Sequence, residues 1–500
     1  MRLRGVSLFI VAISITGFLL RGAAQTNPSF HPSIPRAWDE DALKTMDLPV
    51  VGVQSHTRLT PEEYYRLPVL PIPKSYPVYD PDHEPPGYLE SIRREGQKFI
   101  DVDSAAFASE DEWVRWGESL VGAAIPVGGN PTILADVHDR DWYARTGPPV
   151  SRDGVLPVYR YVVGRDGQVT IRPASCVGCH VRILPDGQIV VGAQGNYPGD
   201  RARGFRLMRD AQGGGTFTAN QLTNAFQSTS VPWQRPDPAD PVRRMTATEL
   251  ADAEMAVPPG IVTRFGTSHL FPPKLPDLIG VKDRKYLDAT GLVQHRSIGD
   301  LMRYMALAEG MEEGDRYDAF GPFGRIPPAR YSDEQLYAMA LYIYSLKPPE
   351  NPNRPAEASR RGEGIFRREG CTTCHTPPLY TNNKLTPAAG FSIPPDHLTR
   401  FEILRTSVHT DPRLALNTRK GTGYYRVPSL KGVWYRGPFE HNGSVATLED
   451  WFDPARLRDD YVPTGFKGVG VTTRAVRGHE FGLRLTVAEK AALIAFLRTL

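Results

Sequence analysis

The sequence has few cysteines, almost no net charge and only one long apolar run. Four cysteines in 500 residues allow at most two disulfides. A formal net charge of +3 is too small to indicate a nucleic-acid partner or a polybasic membrane patch. The apolar run at residues 6–20 is shorter than the ~20 residues that a membrane span needs. We therefore expect no stable membrane span in the mature chain.

The N-terminus has the three parts of an export signal. Arg2 and Arg4 precede the apolar run, and Gly22-Ala23-Ala24 offers a small-residue cleavage site before Gln25. We expect residues 1–24 to be a signal peptide and the mature protein to be periplasmic or secreted. An uncleaved N-terminal anchor is the alternative interpretation of the same run.

All four cysteines lie in two Cys-x-x-Cys-His units. These are Cys176-Val-Gly-Cys179-His180 and Cys371-Thr-Thr-Cys374-His375. In such a unit the two thiols add to the vinyl groups of a haem, and the adjacent histidine becomes the proximal iron ligand. The sequence thus predicts two covalently bound haem c groups, with His180 and His375 as iron ligands. One zinc site built from both pairs is the alternative, but zinc knuckles usually lie ~15–20 residues apart.

Composition and turn signals divide the chain into an arm and two domains. We predict a proline-rich N-terminal arm at 25–100, an N-terminal cytochrome c-like domain at 101–347 and a C-terminal cytochrome c domain at 357–500. The proline-rich break at 347–352 marks the boundary between the domains. The expected fold class is mostly α and loop-rich, with short β-hairpins that turn at Asp166-Gly167 and Asp186-Gly187 on either side of the first Cys-x-x-Cys-His unit.

Matched blocks recur in the same order in both halves. Pro276-x-Leu278-x-Gly280-Val281 corresponds to Pro428-x-Leu430-x-Gly432-Val433, and each is followed by a histidine-containing block at 295–301 or 441–448. Each half then ends in a helix with a capping box, Ser332 with Gln335 and Thr486 with Glu489. These matches indicate duplicated cytochrome domains. In the second half, we expect Gly364-Ile365-Phe366 to pack against the C-terminal helix near Phe496.

The second axial ligand of each iron decides whether the haem only transfers electrons or also binds small molecules. Residues 340–500 contain no methionine, so a methionine from the C-terminal domain is excluded. The nitrogen candidates in that domain are His397, His409, His441 and His479. We favour His479, because it lies just before the C-terminal helix where the chain can fold back across the haem, with His441 next. Two imidazole ligands favour a low reduction potential and electron transfer.

The corresponding region of the first half contains no strong iron ligand. It reads Ala319-Phe320-Gly321-Pro322-Phe323-Gly324. We therefore expect a five-coordinate first haem whose apolar distal pocket is walled by Phe320 or Phe323. Alternatively, these phenylalanines are ordinary core residues and the first iron takes its ligand from Met302, Met305, Met311 or His295.

These features resemble the bacterial di-haem cytochrome c peroxidase superfamily, which includes the di-haem enzyme of methylamine dehydrogenase maturation and the rubber oxygenases. Besides the two haem motifs, the resemblance rests on Tyr425-Arg426-Val427-Pro428-Ser429-Leu430, on Phe439-Glu440-His441-Asn442-Gly443-Ser444 and on the final helix at 485–500. It covers roughly residues 100–500. It implies two cytochrome c-like haem domains and an oxidoreductase activity.

Within this superfamily the chain looks most similar to the rubber oxygenase branch. The peroxidases usually carry methionine, and the maturation enzyme tyrosine, as the second ligand of the C-terminal haem, and this chain has neither pattern clearly. The rubber oxygenases have a bis-histidine C-terminal haem and an N-terminal haem with an apolar, phenylalanine-lined distal side that holds dioxygen. The widely spaced motifs and the candidates Phe320, Phe323 and His479 fit that arrangement.

Three classes of function are compatible with these residues. The first is a redox enzyme that uses O2 or hydrogen peroxide at the first haem and receives electrons from a small redox donor protein. Peroxide reduction needs a distal acid or base, for which Glu312 and its neighbours Glu309 and Glu313 are candidates. An oxygenase would instead act on an apolar alkene. The second class is a pure electron carrier with both irons six-coordinate. The third is a binding or assembly protein with vestigial haems, against which the two intact motifs argue.

Overall fold

The computed structural model describes residues 30–46, 60–125, 132–213, 244–262, 272–308, 329–417 and 421–500, and the backbone of two short strands at 57–58 and 315–316. The expected signal peptide at 1–24 lies outside the described residues. Within them the fold is mostly helical with short strand pairs, as the sequence predicts. None of the helices described is long and apolar enough to cross a membrane.

The secondary structure is distributed along the whole described chain. The α-helices are Glu40–Met46, Pro61–Arg66, Tyr88–Glu95, Glu110–Val121, Leu134–Val137, Arg140–Thr146, Gly199–Gln212, Ala247–Met255, Ile298–Ala306, Asp333–Ser345, Glu357–Arg368, His397–Arg400, Arg413–Asn417, Leu448–Trp451 and Val487–Arg498. The strands are Thr57–Arg58, Ser75–Tyr79, Val155–Val163, Val169–Pro173, Val181–Ile183, Ile189–Val191, Tyr286–Leu287, Val293–Gln294, Asp315–Arg316, Leu385–Pro387 and Tyr424–Arg426. Neighbouring strands pair in antiparallel fashion.

The two predicted hairpins flank the first haem motif. Val155–Val163 pairs with Val169–Pro173, and Val181–Ile183 pairs with Ile189–Val191. Each hairpin turns through an Asp-Gly step whose glycine has a positive φ, 74° at Gly167 and 83° at Gly187, a conformation that glycine adopts without strain. The sequence prediction of these hairpins is confirmed.

Buried apolar side chains form two main clusters. The larger draws on residues from 37 to 343, and a second draws on residues from 365 to 497. The N-terminal segment contributes Trp38, Tyr64 and Ile92 to the larger cluster, so its buried side chains share the core of the first half. The domain limits at 347 and 357 lie between the clusters, and they stay a prediction.

A pair of crossed helices is repeated in the two halves. In the first, Glu110–Val121 packs on Asp333–Ser345, and a Cβ on Gly117 would lie 2.0 Å from the Ala338 carbonyl oxygen. In the second, Glu357–Arg368 packs on Val487–Arg498, and a Cβ on Gly362 would lie 2.0 Å from the Ala492 carbonyl oxygen. Both C-terminal helices carry the predicted capping box. The equal crossing points support the internal duplication.

The glycine at the second crossing differs from the predicted one. Phe366 contacts Phe496 with ring centroids 5.3 Å apart, as expected, but a Cβ on Gly364 would meet nothing within 4 Å. Gly362 makes the close contact, because two residues along a helix turn the side chain about 200° around the axis. The sequence expectation was therefore right about the packing face of Phe366 and wrong about Gly364.

Candidate haem sites

The two Cys-x-x-Cys-His motifs adopt the same local structure. Each forms a single 3-10 turn, at Cys176–Gly178 and Cys371–Thr373. The histidine N–H that follows donates to the carbonyl of the first cysteine, at 2.8 Å for His180 and 2.9 Å for His375. All four cysteines are free of disulfides.

The cysteine pairs do not converge on one site. Over the described ranges, which include all four cysteines, no group of three or more His, Cys, Asp or Glu side chains is arranged to hold a metal ion. This geometry disagrees with a common four-cysteine zinc site. It is compatible with two separate attachment points.

Each motif histidine is held through Nδ1 by a backbone carbonyl. His180 Nδ1 donates to the carbonyl of Pro276 at 2.9 Å. His375 Nδ1 donates to the carbonyl of Tyr380 at 3.2 Å, and the nearby carbonyl of Pro428 acts to raise the pKa of this ring. Because a carbonyl only accepts, Nδ1 carries the proton and Nε2 keeps its lone pair for a metal. Pro276 and Pro428 occupy matching positions in the sequence repeat, so the duplication extends to the way each histidine is oriented.

His375 is in the protonation state that a metal ligand requires. Burial and then the neighbouring His479 lower the pKa of His375 to about 4, against the opposing effect of the carbonyls of Tyr380 and Pro428. The imidazole is therefore neutral at pH 7. A neutral ring is the form that binds iron.

His479 lies across from His375, and their ring centroids are 6.3 Å apart. Two imidazoles on opposite sides of one metal ion, each with a bond of about 2 Å and about 1 Å more to its ring centroid, have centroids ~6 Å apart. His479 is half-buried with its Nδ1 enclosed, and desolvation lowers its pKa. Together with the turn at Cys371, this spacing fits a haem held between His375 and His479.

The loop that carries His479 is held by the side chain of Arg456, which is 1% exposed. Its guanidinium donates to the carbonyls of Trp451 at 2.9 Å, Val476 at 2.6 Å, Gly478 at 2.9 Å and His479 at 2.9 Å. These bonds stabilise His479 at a φ of 48°, which costs a non-glycine residue roughly 1–2 kcal/mol. An arginine in a charged stretch looks like a surface residue in sequence, so this role was missed.

The other histidine candidates of the second half make different contacts. His441 stacks on Tyr425 with centroids 4.8 Å apart, and its Nδ1 lies 3.2 Å from Glu440 Oε2. His397 is buried with Nδ1 at 2.9 Å from the Tyr424 hydroxyl, and His409 is exposed. The structure therefore brings His479, the favoured candidate, against His375.

The distal side of the first site is described only in part. The expected distal residues Phe320, Phe323 and Glu312, and the further candidates Glu309, Glu313 and Met311, lie outside the described residues. Met302 and Met305 are buried in the larger core. His295 uses both ring nitrogens, with Nδ1 at 2.8 Å from the Arg284 carbonyl and Nε2 at 2.6 Å from the Tyr344 hydroxyl. As placed, His295 has no nitrogen left for iron.

Two tryptophans lie close to the candidate sites. Trp451 meets the His479 ring edge to face, with centroids 5.1 Å apart. Trp434 lies against Tyr435 and packs with Val190 and Ala193. Val190 belongs to the hairpin that follows the first motif, and Ala193 lies just after it. Trp434 therefore contacts both halves.

A group of four cationic side chains was not predicted from the sequence. They are Lys274, Arg284, Arg426 and Arg436. Lys274 and Arg426 stand two residues before Pro276 and Pro428, the matched prolines. That matched spacing is the one clue that the repeat contains.

Comparison with known proteins gives a partial similarity. No family model matches the chain. A cytochrome-c peroxidase, IdrP1 of Pseudomonas sp. (strain SCT), is 28% identical over 161 residues, which are 29% of this chain and 40% of that protein. The chain thus spans 40% of the length of this curated relative. This similarity agrees with the haem-dependent oxidoreductase class and does not separate the rubber oxygenase branch from the others.

Two solved structures also match over part of the chain. They are hydrazine synthase of Kuenenia stuttgartiensis, with a TM-score of 0.28, and a MauG-like protein associated with microbial copper homeostasis, with a TM-score of 0.29. Each is 16% identical and covers 56% of this chain and 87% of the other. Similarity at this level does not establish a shared fold.

Proposed function

We propose that this chain is an exported di-haem c-type cytochrome that reduces hydrogen peroxide at its first haem site and uses its second for electron transfer. The observation that carries the proposal is the opposed pair His375 and His479, with ring centroids 6.3 Å apart, beside one of two equally built Cys-x-x-Cys-His turns. Bound haem would supply a redox-active iron at each site. The residues of the chain would decide what each iron does.

We expect the haem at the second site not to bind substrates. His375 and His479 would both hold the iron of this haem, and a haem iron with two strong protein ligands mainly transfers electrons. The carbonyl of Tyr380 orients the His375 ring, and Arg456 holds the loop of His479. Electron transfer is the role that this arrangement supports.

The first site would be the place of reaction. His180, held by the Pro276 carbonyl, would be the proximal ligand, and Phe320 and Phe323 would wall an open distal side. Reduction of hydrogen peroxide to two waters consumes two electrons and two protons. Glu312 is the proposed proton donor, a small redox protein the electron source, and Trp434 the contact between the halves through which electrons pass. The partial similarity to a cytochrome-c peroxidase supports peroxide as the oxidant.

An oxygenase is the second candidate within the same class. An apolar distal side without a nearby carboxylate would favour bound dioxygen and an apolar alkene as substrate, as in the rubber oxygenases. The sequence Phe320-Gly-Pro-Phe323 favours it, whereas Glu312 favours peroxide.

Peroxide turnover by the holoprotein, with a reduced small cytochrome as donor, tests the proposal. We expect peroxide-dependent oxidation of the donor, and carbon monoxide should shift about half of the reduced haem absorbance. His479→Ala should slow turnover at least tenfold, whereas His409→Ala, which changes an exposed histidine of the same half, should leave it unchanged. Oxygen uptake with a polyisoprene emulsion and no peroxide turnover would favour the oxygenase. Absence of both, with no carbon monoxide shift, would contradict the proposal in favour of an electron carrier.

A further inference from the structure

Four cationic side chains form a cluster near the prolines whose carbonyls lie at the two motif histidines. Lys274 interacts electrostatically with Arg426 and Arg436, and Arg426 interacts with Arg284 and Arg436. Lys274 stands two residues before Pro276, whose carbonyl accepts from His180, and Arg426 stands two residues before Pro428, whose carbonyl acts on His375. Arg436 also acts on His375.

These cations have few direct ion pairs. Glu440 and Asp277 act on Lys274, Asp288 acts on Arg426, and Asp277 and Asp283 act on Arg284, each carboxylate opposing the fall of the pKa. Among the described residues, however, Asp277 is the one carboxylate within 4 Å of a member, 3.7 Å from Arg436 Nε, and it also accepts from the Tyr435 hydroxyl at 2.8 Å. Arg284 donates to the carbonyls of Asp277 and Ile279, and Arg426 to that of Asp288 at 3.4 Å. Within the described ranges, Lys274 has no carboxylate within 4 Å. The direct contacts of Arg284 and Arg426 are therefore with neutral carbonyl groups.

The surroundings make this arrangement costly without an anion. Burial and then Arg436 lower the pKa of Lys274 to about 8, and burial lowers that of Arg426. Arg436 Nε is buried and has no hydrogen-bond partner among the described residues. The four side chains are nevertheless only half-buried, so they can reach a bound molecule. A cluster of this kind is stable when several carboxylates neutralise it, and arginine binds carboxylates in bidentate fashion.

We propose that Lys274, Arg284, Arg426 and Arg436 bind the propionate carboxylates of both haems where the two halves meet. Each haem carries two propionates, so two haems would supply carboxylates for the direct ion pairs that Lys274, Arg284 and Arg426 lack among the described residues. We expect both haems to share the cluster because the repeat contributes one member from each half. Lys274 lies near Pro276 and His180, and Arg426 lies near Pro428 and His375. This inference rests on the proposed function, because it requires both haems to be attached.

The test is a redox titration of the holoprotein, with haem content measured first from its intact mass. Removal of a positive charge next to a propionate leaves the propionate's negative charge unpaired. That negative charge stabilises the additional positive charge of the ferric iron, so the ferric state is favoured. A unit charge about 10 Å from the iron, at an effective dielectric constant of about 20, changes the reduction equilibrium roughly tenfold, which is 59 mV for one electron. Arg426→Gln should therefore lower the potentials of both haems by about this amount, and Arg426→Lys should restore most of it.

Lys274→Met provides a second variant with the same expected direction, and Lys431→Met is the control. Lys431 is exposed on the neighbouring loop, where water screens its charge, so both potentials should stay unchanged. Potentials that do not move in Arg426→Gln and Lys274→Met, or that move for one haem only, would overturn the shared site. Potentials that change when phosphate is added or removed would also overturn it, since a free anion would then occupy the cluster. A wild-type chain without two haems would instead refute the proposed function.

Discussion

Replacing Arg456 with methionine is expected to release His479 from the second iron. Methionine fills a similar volume but donates no hydrogen bond. The carbonyls of Trp451, Val476, Gly478 and His479 lose their shared donor. The loop is then free to relax from the left-handed conformation at His479, where φ is 48°.

The size of the effect follows from these contacts. Hydrogen bonds from a charged donor contribute about 1.5–3 kcal/mol each, although water can replace some of them at the loop. We expect the free energy of unfolding to fall by about 3–5 kcal/mol, the range for breaking a buried charged contact. If only 1.4 kcal/mol of this loss acts on the ligation of His479, the ratio of bound to dissociated ligand falls about tenfold.

The assay is electron paramagnetic resonance of the oxidised protein, combined with carbon monoxide binding to the reduced protein. Arg456→Met should convert part of the low-spin signal of the second haem to high-spin and open that haem to carbon monoxide. Arg458→Met is the control, because Arg458 is exposed and pairs with Asp460, so its loss should change stability by less than about 0.5 kcal/mol. A destabilised Arg456→Met protein that keeps a fully low-spin second haem would refute the positioning role.

Two further predictions concern the fold around the sites. Gly362→Ala should destabilise the holoprotein by about 1–3 kcal/mol in urea unfolding, because the new Cβ would lie 2.0 Å from the Ala492 carbonyl oxygen. Gly364→Ala should instead stabilise it by about 0.5–1 kcal/mol. Equal effects of the two substitutions would contradict the crossing geometry. Asp300 is 1% exposed, and although burial opposes its ionisation, hydrogen bonds from Arg296 and Arg303 lower its pKa to about 2. The pKa of Asp300 is lower in the folded than in the unfolded state. Asp300 should therefore add about 2 kcal/mol to the free energy of unfolding above pH 4, and this contribution should be lost as the pH falls through 2. Asp300→Asn should flatten this part of the profile of unfolding free energy against pH, and an unchanged profile would contradict the assignment.

Local signals in the sequence predicted the elements that depend on neighbouring residues. The Asp-Gly steps at 166–167 and 186–187 placed both hairpins, because their turns need a residue with positive φ. Thr486 with Glu489 placed the start of the last helix, since a capping box satisfies its free N–H groups. The favoured ligand His479 came from a different argument, the absence of methionine after residue 339.

Features that depend on packing between distant segments were not predictable in this way. Gly362 rather than Gly364 makes the helix crossing, because the contact depends on how Glu357–Arg368 is rotated against Val487–Arg498. Arg456 and the cationic cluster contain residues that usually face water, and only the fold shows that they are enclosed. The distal residues Phe320, Phe323 and Glu312 stay predictions.

The covalent attachment of two haems is the claim on which the whole account depends, and the intact mass of the denatured protein tests it most directly. The chain should be produced in a host that exports it and attaches haem c. We predict a mass increase of two haems for the wild type and of one haem for each of the double variants Cys176→Ala/Cys179→Ala and Cys371→Ala/Cys374→Ala. A wild-type chain without covalent haem, or a double variant that still carries two, would contradict the account.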